Sequence, residues 1–327
     1  MTEIKYDVLG IGNAIVDVLS FCKDEFIDEF GLRKGTMILI DEDRADLLYK
    51  HMGPAAEVSG GSAANTLAGI ASLGGRATFI GKVRDDQLGN IFTHDMRATG
   101  VDYHTPPATS GKATARCLIF VTPDAQRTMN TYIGACSTLL DEDVQEEHIA
   151  SAALTYIEGY MWYEPSTKEA IRKAMRLAKQ NGRQVAFTPS DVFCIENHHQ
   201  EFLDLISECD LVFANEDEVM TLYSKSTFEE AAEAIRGKCK VAVITRSEKG
   251  SVIVTADETI AVEAAPVNKV VDTTGAGDLY AAGFLYGYLR GWKLEDAARL
   301  GSRCAAEIIQ YVGARTLKPL SKFVEAA

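Results

Sequence analysis

The sequence of 327 residues lacks any uninterrupted run of about 18 uncharged apolar residues, which is the length that a membrane-spanning helix requires. Its first residues also lack a basic stretch followed by a long apolar segment, so we expect no secretory signal. We therefore predict a cytoplasmic protein that has no membrane partner.

Basic residues are scarce relative to acidic ones. There are 33 Lys and Arg residues against 47 Asp and Glu residues, which gives a formal net charge of −14. Proteins that bind nucleic acids or anionic membranes need a basic face. We therefore expect no nucleic-acid partner, and any attraction for a polyanionic ligand must be local.

Several chemical motifs are missing from the sequence. The seven cysteines contain no C-x-x-C pair and no H-E-x-x-H occurs, so neither a zinc site nor a redox dithiol is predicted. The absence of G-x-x-x-x-G-K-[ST] excludes a P-loop kinase. A dinucleotide fingerprint that begins at Gly10 and Gly12 would need glycine where Ile15 stands, which leaves a dehydrogenase as a weak alternative.

Strand patterns alternate with helix patterns along most of the chain, and the apolar content of 46% is typical of a globular protein. The predicted strands are 6–12, 76–83, 154–157, 184–187, 211–214 and 241–245. The predicted helices are 62–73, 86–99, 165–179, 216–223, 228–236, 276–290 and 294–309. This alternation predicts an α/β fold whose parallel sheet is covered by helices on both faces.

Two segments, at about 15–40 and 113–133, break the alternation. The first mixes short β-like runs with one helix, and the second contains two β runs, 113–121 and 128–133, around the turn at 123–125. We expect these segments to form a small β-sheet lid over the strand ends, within a single domain that spans 1–327.

The most informative run is DTTGAGD at 272–278, where an apolar strand end leads into a helix. The first amides of a helix lack partners and lie at the positive end of its dipole, and Gly275 and Gly277 would let an anion approach them. Asp278 lies in the first turn, where we expect the dipole to keep it ionised. An anion cradle beside a base is what phosphoryl transfer to an alcohol requires. The alternative is an ordinary capped helix.

A second glycine motif, SGGSAANT at 59–66, opens another helix. Gly60 and Gly61 let backbone amides approach a ligand hydroxyl, and Asn65 offers a side-chain amide one turn later. Asp17, which follows the first strand, is suited to accept hydrogen bonds from vicinal hydroxyls. The alternative for Asp17 is a turn or strand-edge aspartate.

Asn215 and Glu218 follow the strand 211–214, three residues apart on one helix face. Ligands of open α/β sheets bind at the carboxyl ends of strands, and oxygen ligands suit Mg²⁺ held largely through water. The alternative is a helix N-cap with an acidic first turn.

Together these motifs resemble the ribokinase-like (PfkB) family of carbohydrate and nucleoside kinases, over nearly the whole chain. The run GGSAAN at 60–65 is similar to its first signature, DTTGAGD at 272–278 to its second, and Asn215-x-x-Glu218 to its magnesium motif. The resemblance implies a ribokinase-like three-layer α/β/α sandwich with a mostly parallel central sheet and a small β-sheet lid.

The resemblance also implies roles for these residues. Asp278 is similar to the base that deprotonates the acceptor hydroxyl, and Gly275, Ala276 and Gly277 to the anion hole for the γ-phosphate. The implied cofactors are ATP, Mg²⁺ and a monovalent cation such as K⁺ beside Asp272. The residues implied to contact ATP or its Mg²⁺ are Asn215, Glu218, Thr245, Glu248, Gly250, Thr274 and Gly277.

Within the family, the N-terminal third is most similar to adenosine kinases. GNAIVD at 12–17 matches their G-N-x-x-x-D, and segments 25–32 and 37–39 resemble their next lid segment. RTMN at 127–130 resembles their second lid strand, which implies that Arg127 reaches the phosphates.

The acceptor site implied by this likeness combines polar and apolar residues. Its members are Asn13, Asp17, Met37, Gly60, Gly61, Asn65, Met129 and Ile133. Met37 stands where mammalian adenosine kinases carry Gln, and Thr274 stands where they carry Asn. Apolar side chains such as Met37, Leu39 and Met129 would sandwich a base.

The leading hypothesis is ATP-dependent phosphorylation of the 5′-hydroxyl of a nucleoside, adenosine first among them, in purine salvage. A PfkB-type sugar kinase for ribose, fructose or a related ketose is the alternative. A nucleoside-binding sensor without catalysis is a third interpretation, which the intact Asp278 disfavours. Family members occur as monomers and as homodimers joined through the lid, and both states stay open.

Overall fold

The computed structural model describes residues 2–124, 126–316 and 318–324, in which two sheets account for the strands. The strands are β1 Tyr6–Ile11, β2 Ile15–Phe21, β3 Met37–Leu39, β4 Ala55–Ser59, β5 Ala77–Ile80, β6 Val101–Tyr103, β7 Ala115–Val121, β8 Arg127–Tyr132, β9 Ala152–Glu158, β10 Gln184–Thr188, β11 Leu211–Asn215, β12 Val241–Thr245, β13 Ser251–Val254 and β14 Thr259–Val262. The helices are α1 Asp24–Glu29, α2 Glu42–His51, α3 Ser62–Ser72, α4 Gln87–Ala98, α5 Glu146–Ala150, α6 Pro165–Gln180, α7 Val192–Glu208, α8 Glu216–Leu222, α9 Phe228–Ile235, α10 Ala276–Leu289 and α11 Leu294–Ile308.

The large sheet has nine strands in the order β14-β13-β12-β11-β10-β9-β1-β5-β6. The seven strands from β12 to β6 pair in parallel, whereas β13 and β14 add an antiparallel edge. The carboxyl ends of all seven parallel strands therefore meet at one edge of the sheet, where open α/β sheets bind ligands.

Helices cover both faces of this sheet, as the alternation of the sequence predicts. Along β9, Tyr156 faces a core shared with α3 and α10, and its ring lies 5.9 Å from that of Phe213. Its neighbour Ile157 faces the opposite core, which α6 to α9 supply. Successive residues of a strand point to opposite faces, so one buried strand joins two hydrophobic layers. The three-layer α/β/α prediction is confirmed.

A small sheet of five strands, in the order β3-β8-β7-β2-β4, lies apart from the large one. Four of its strands come from the segments at 15–40 and 113–133, and β4 was not predicted. Helices α1 and α2 cover its outer face, where the ring of Phe26 packs 4.8 Å from that of Phe120. In the predicted turn at 123–125, Ala125 lies outside the described residues. Within the described ranges, none of the helices has the length and apolar content needed to cross a bilayer.

Candidate active site

Two helix starts meet at the carboxyl of Asp278, which is the third residue of α10. Its Oδ1 accepts a hydrogen bond from the Ser62 hydroxyl at 2.6 Å, and its Oδ2 accepts one from Asn65 Nδ2 at 2.9 Å. Ser62 and Asn65 belong to the first turn of α3. The two glycine motifs, more than 200 positions apart in the chain, are therefore joined at a single carboxylate.

The charge of Asp278 depends on more than the helix dipole. Burial is the largest influence and raises the pKa of Asp278 above its usual value, while the hydrogen bonds from Ser62 and Asn65 and the charge of Arg315 oppose it. Burial therefore opposes the effect of the helix dipole, and the expectation that Asp278 is ionised stays a prediction. A raised pKa brings a carboxylate closer to the proton affinity that a general base needs near neutral pH.

The start of α10 leaves space for an anion. Gly275 caps the helix in the left-handed conformation, with φ of +77°, and packs against Ala314. A side chain added at Gly277 would meet no atom from another part of the chain within 4 Å, so open space lies beside the Gly277 amide. The Ala276 amide, which was also predicted to bind the phosphate, instead donates to the Thr273 carbonyl at 3.1 Å. Backbone conformation requires the first glycine, whereas open space lies beside the second.

The residues predicted to bind the acceptor lie close together. A Cβ on Gly60 would come within 2.6 Å of Asp17 Oδ2, and one on Gly61, whose φ is +94°, within 2.3 Å of the Asn13 carbonyl oxygen. Burial raises the pKa of Asp17 to about 6. Asn65 Oδ1 is buried and has no hydrogen-bond partner among the described residues, which leaves it free to accept a bond from a ligand hydroxyl.

Glu158 and Tyr163 also belong to this region, although neither lies in a predicted motif. Glu158 ends β9 and is fully buried, and its two oxygens accept hydrogen bonds from the amides of Asn13 and Ala63, both at 2.7 Å. Burial raises the pKa of Glu158 to about 7. Tyr163 donates its hydroxyl proton to Asn13 Oδ1 at 3.1 Å. The only feature of the sequence that points to Glu158 is its position as a charged residue directly after the apolar strand 154–157.

Asn215 and Glu218 form a capping box at the start of α8. The Glu218 carboxylate accepts bonds from the Asn215 amide nitrogen and from Asn215 Nδ2, both at 2.9 Å, and Asn215 Oδ1 accepts the Glu218 amide at 2.8 Å. The N-cap alternative is thus realised. Burial raises the pKa of Glu218 to about 7. Within the described ranges, no cluster of three or more side chains that could ligate a metal is found.

Arg127 bridges the small sheet and the second glycine motif. Its guanidinium pairs with the Asp272 carboxylate and donates to Thr274 Oγ1 at 2.6 Å. Asp272 also accepts the Gly313 amide at 2.8 Å and the Thr274 amide at 3.0 Å. The side chain predicted to reach the phosphates therefore lies at the position predicted for a monovalent cation.

A cavity of about 650 Å³ adjoins the start of α10 on the side of β12. Four residues predicted to contact ATP line it, namely Thr245, Glu248, Gly250 and Gly277. Apolar side chains form much of the remaining wall, including Pro266, Val267, Val270 and Ile309. Its volume suits a nucleotide base and sugar, and apolar walls with few polar groups are typical of ligand pockets.

The inner face of the small sheet is apolar around Asp17. Asp17 pairs with Cys117 on β7, which in turn pairs with Thr131 on β8. One step further along the same face, Ile119 pairs with Met129, and Met129 pairs with Met37 on β3. Leu39, Met37 and Val58 share the face and are 54%, 38% and 46% exposed. Ile133 lies just beyond the end of β8 and is half-buried.

The family model for pfkB family carbohydrate kinases matches residues 42–320, which is most of the chain. The chain belongs to the PfkB family. PfkB kinases transfer a phosphoryl group to an alcohol, and the family implies ATP as the donor.

Relatives of this PfkB kinase differ in the acceptor that their names give. A 5-dehydro-2-deoxygluconokinase of Clostridium perfringens is 31% identical over 266 residues, which cover 76% of this chain and 78% of that protein. The structure of adenosine kinase from Sinorhizobium meliloti is 52% identical with a TM-score of 0.92, over 99% of this chain and 100% of that one. The structure of a probable sugar kinase from Rhizobium etli is 50% identical with a TM-score of 0.92, over 100% and 99%.

Proposed function

We propose that this PfkB kinase phosphorylates the 5′-hydroxyl of a nucleoside, with adenosine as the acceptor and ATP–Mg²⁺ as the donor. The observation that carries the proposal is the inner face of the small sheet, where exposed apolar side chains share one face with Asp17. The 52% identity to a protein described as an adenosine kinase supports it.

The chemistry of that face favours a nucleoside over a free sugar. A free sugar presents hydroxyls on most sides and needs polar partners for those it buries. A nucleoside presents hydroxyls at one end and a flat base with two apolar faces at the other. Asp17, Asn65 and the amides at Gly61 supply polar contacts at one end only, while Met37 and Leu39 offer soft apolar contacts at the other.

In the proposed mechanism, the ribose lies on Asp17, Gly61 and Asn65 with its 5′-hydroxyl toward Asp278. ATP occupies the 650 Å³ cavity, and its terminal phosphate lies against the open amide of Gly277. Asp278 accepts the hydroxyl proton as the acceptor oxygen attacks the phosphorus atom. The Gly277 amide and the positive end of the α10 dipole stabilise the negative charge that develops on the phosphoryl oxygens.

Two further groups fit this arrangement. Asn215 and Glu218 would hold Mg²⁺ through water, and the ion would neutralise phosphate charge when bound. The small sheet would act as the lid, because its Arg127 already reaches the second glycine motif. A closed lid excludes water, which competes with the acceptor for the phosphoryl group.

The acceptor is tested with a coupled ADP assay on adenosine, inosine, guanosine, ribose, fructose and 5-dehydro-2-deoxygluconate. We expect the highest kcat/KM for adenosine, with that for free ribose lower by at least about 100-fold because ribose has no base to bind. Turnover with sugars alone would overturn the nucleoside proposal and support the sugar-kinase alternative, which the relative from C. perfringens favours.

The role of Asp278 as the general base is tested with Asp278→Asn. We expect kcat to fall by about 1,000-fold while calorimetry still detects ATP binding. Asp257→Asn, an exposed change in the turn between β13 and β14, removes the same charge away from the site and serves as the control. Turnover of the Asp278 variant near that of the control would show that another group accepts the proton.

A further inference from the structure

Three successive residues after α11 each contact a different part of the candidate site. The Gly313 amide donates to Asp272 Oδ2 at 2.8 Å. Ala314 packs against Gly275, so closely that a Cβ on that glycine would lie 2.8 Å from the Ala314 Cβ. Arg315 extends to the first glycine motif. None of these contacts is signalled by the sequence, and Arg315 has no role in the mechanism above.

The guanidinium of Arg315 spans the turn that leads into α3. Its Nε and Nη2 donate to the carbonyl and the hydroxyl of Ser59, both at 3.2 Å, and its Nη1 donates to the Ala64 carbonyl at 2.9 Å. Ser59 and Ala64 flank Gly60 and Gly61 and precede Asn65. One side chain therefore fixes the backbone on both sides of the predicted acceptor loop.

The positive charge of Arg315 has no direct anionic partner. Its acceptors are three neutral oxygens and, at 3.5 Å, the Met96 Sδ, and no carboxylate in the described part of the chain lies within ion-pair distance of it. Burial lowers the pKa of Arg315 to about 10, so it stays protonated at neutral pH. The carboxylates that interact with it at longer range are Asp17 on β2, Asp278 on α10 and Asp95 on α4.

These carboxylates need a counter-charge. Burial raises the pKa of both Asp17 and Asp278, and the charge of Arg315 opposes the rise at each. Asp17 also faces Arg127, and the negative charge of Asp278 acts on both Asp17 and Glu158. The other groups that face Asp278 directly are the Ser62 hydroxyl and the Asn65 amide, which carry no net charge.

We propose that Arg315 is a positioning residue for phosphoryl transfer, which holds the acceptor loop in place and supplies the positive charge that keeps Asp17 and Asp278 anionic. The proposal rests on the role of Asp278 as the base in the proposed function. It assigns to the segment after α11 a part in the chemistry of both glycine motifs.

The pH profile of kcat/KM separates this role from a purely structural one. In Arg315→Met the pKa values of the two carboxylates rise, so the acidic limb of the profile moves to higher pH, by about one unit. Arg315→Lys keeps the charge but not the three hydrogen bonds, so its limb stays near that of the wild type while the acceptor KM rises. Arg299→Met, at an exposed position of α11, matches the change in net charge and is the control.

Chemical rescue provides a second readout if Arg315→Met folds poorly. A cavity of about 400 Å³ is lined by Arg315 together with the exposed residues Lys318 and Pro319, so a small cation can enter it. In Arg315→Ala, we expect guanidinium at non-denaturing concentration to restore activity by at least about 10-fold. Urea has the same shape without the charge and should restore none.

Asp278→Asn is assayed in the same series to separate the two proposals. If it retains turnover, the role of Asp278 as the base is wrong. If it is inactive while Arg315→Met keeps the wild-type limb, and guanidinium restores no more activity than urea, the role of Arg315 is overturned and the base remains. An inactive Asp278→Asn, together with a shifted acidic limb in Arg315→Met and rescue of Arg315→Ala by guanidinium but not by urea, supports the roles of both Asp278 and Arg315.

Discussion

Removing the carboxyl of Glu158 tests how the protein tolerates a buried acid at the carboxyl edge of its large sheet. We consider Glu158→Gln, which keeps the shape of the side chain. Its two oxygens accept amides from Asn13 and Ala63, so the substituted amide group turns one of these acceptors into a donor. The mismatch costs about 1–3 kcal/mol of stability at every pH.

The charge contributes a second effect that does depend on pH. Burial raises the pKa of Glu158 from 4.5 to about 7, so between these values the folded state binds more protons than the unfolded state. Stability from this group is fully present below about pH 4.5 and is lost as the pH rises through about 7. Integrated from about pH 5 to about pH 8, the loss is about 2.5 kcal/mol in the wild type and zero in Glu158→Gln.

The measurement is the free energy of unfolding in urea at several pH values across this range. The free energy of unfolding of the wild type minus that of the variant should decrease by about 2.5 kcal/mol between the lowest and the highest pH. Glu196→Gln on the exposed side of α7 is the matched control, and its difference should not vary with pH in this way. Parallel curves for wild type and Glu158→Gln would show that the two amide donors hold Glu158 ionised throughout, which refutes the argument from burial.

Three further substitutions test separate parts of the site. Gly61→Ala should destabilise the fold by about 2 kcal/mol more than Gly74→Ala, as measured by urea unfolding. The two glycines have similar φ angles, +94° and +91°, but only a Cβ at Gly61 would meet the Asn13 carbonyl. Equal effects of the two substitutions would exclude a steric cause. Leu39→Ser should raise the adenosine KM by about 10-fold and leave the ATP KM unchanged in steady-state assays, since 54% of this side chain is exposed on the face assigned to the base; an unchanged adenosine KM would contradict that assignment. Arg127→Met leaves its carboxylate partner without a cation, so we expect K⁺ to increase the thermal stability of the variant more than that of the wild type; an equal response to K⁺ would argue against a cation site there.

The sequence was sufficient to predict the features that depend on local pattern. The strands at β9 to β12 are short apolar runs, and the helices at α3 and α10 begin at glycine turns, so hydrophobic period and turn chemistry identify both. The small sheet was predicted in outline because its longer strands keep a β-like composition. Strand β4 was missed because it is a short, largely exposed edge strand with an Ala-Ala-Glu start.

Contacts between distant parts of the chain could not be predicted. Helix α7 was missed because its pattern is interrupted at His198, where the backbone departs from helical geometry with φ of −134°. Glu158 and Arg315 reach the site from a strand end and from the segment after the last long helix, and no spacing rule relates them to the glycine motifs. Family resemblance supplied roles only where a motif exists, and these two residues lie outside every motif.

The residues assigned to acceptor recognition and those assigned to phosphoryl transfer lie largely on different sheets. The side chains assigned to contact the nucleobase of the acceptor lie on the inner face of the small sheet. Asp278 and the start of α10 belong to the helical layer on the large sheet. Under the proposed function, substitutions of Met37, Leu39 or Val58 on the small sheet would alter which acceptor is bound without changing Asp278 or the start of α10. The acceptor site can therefore diverge while the residues of phosphoryl transfer stay the same, which is consistent with relatives whose names give a nucleoside in one case and a sugar in another.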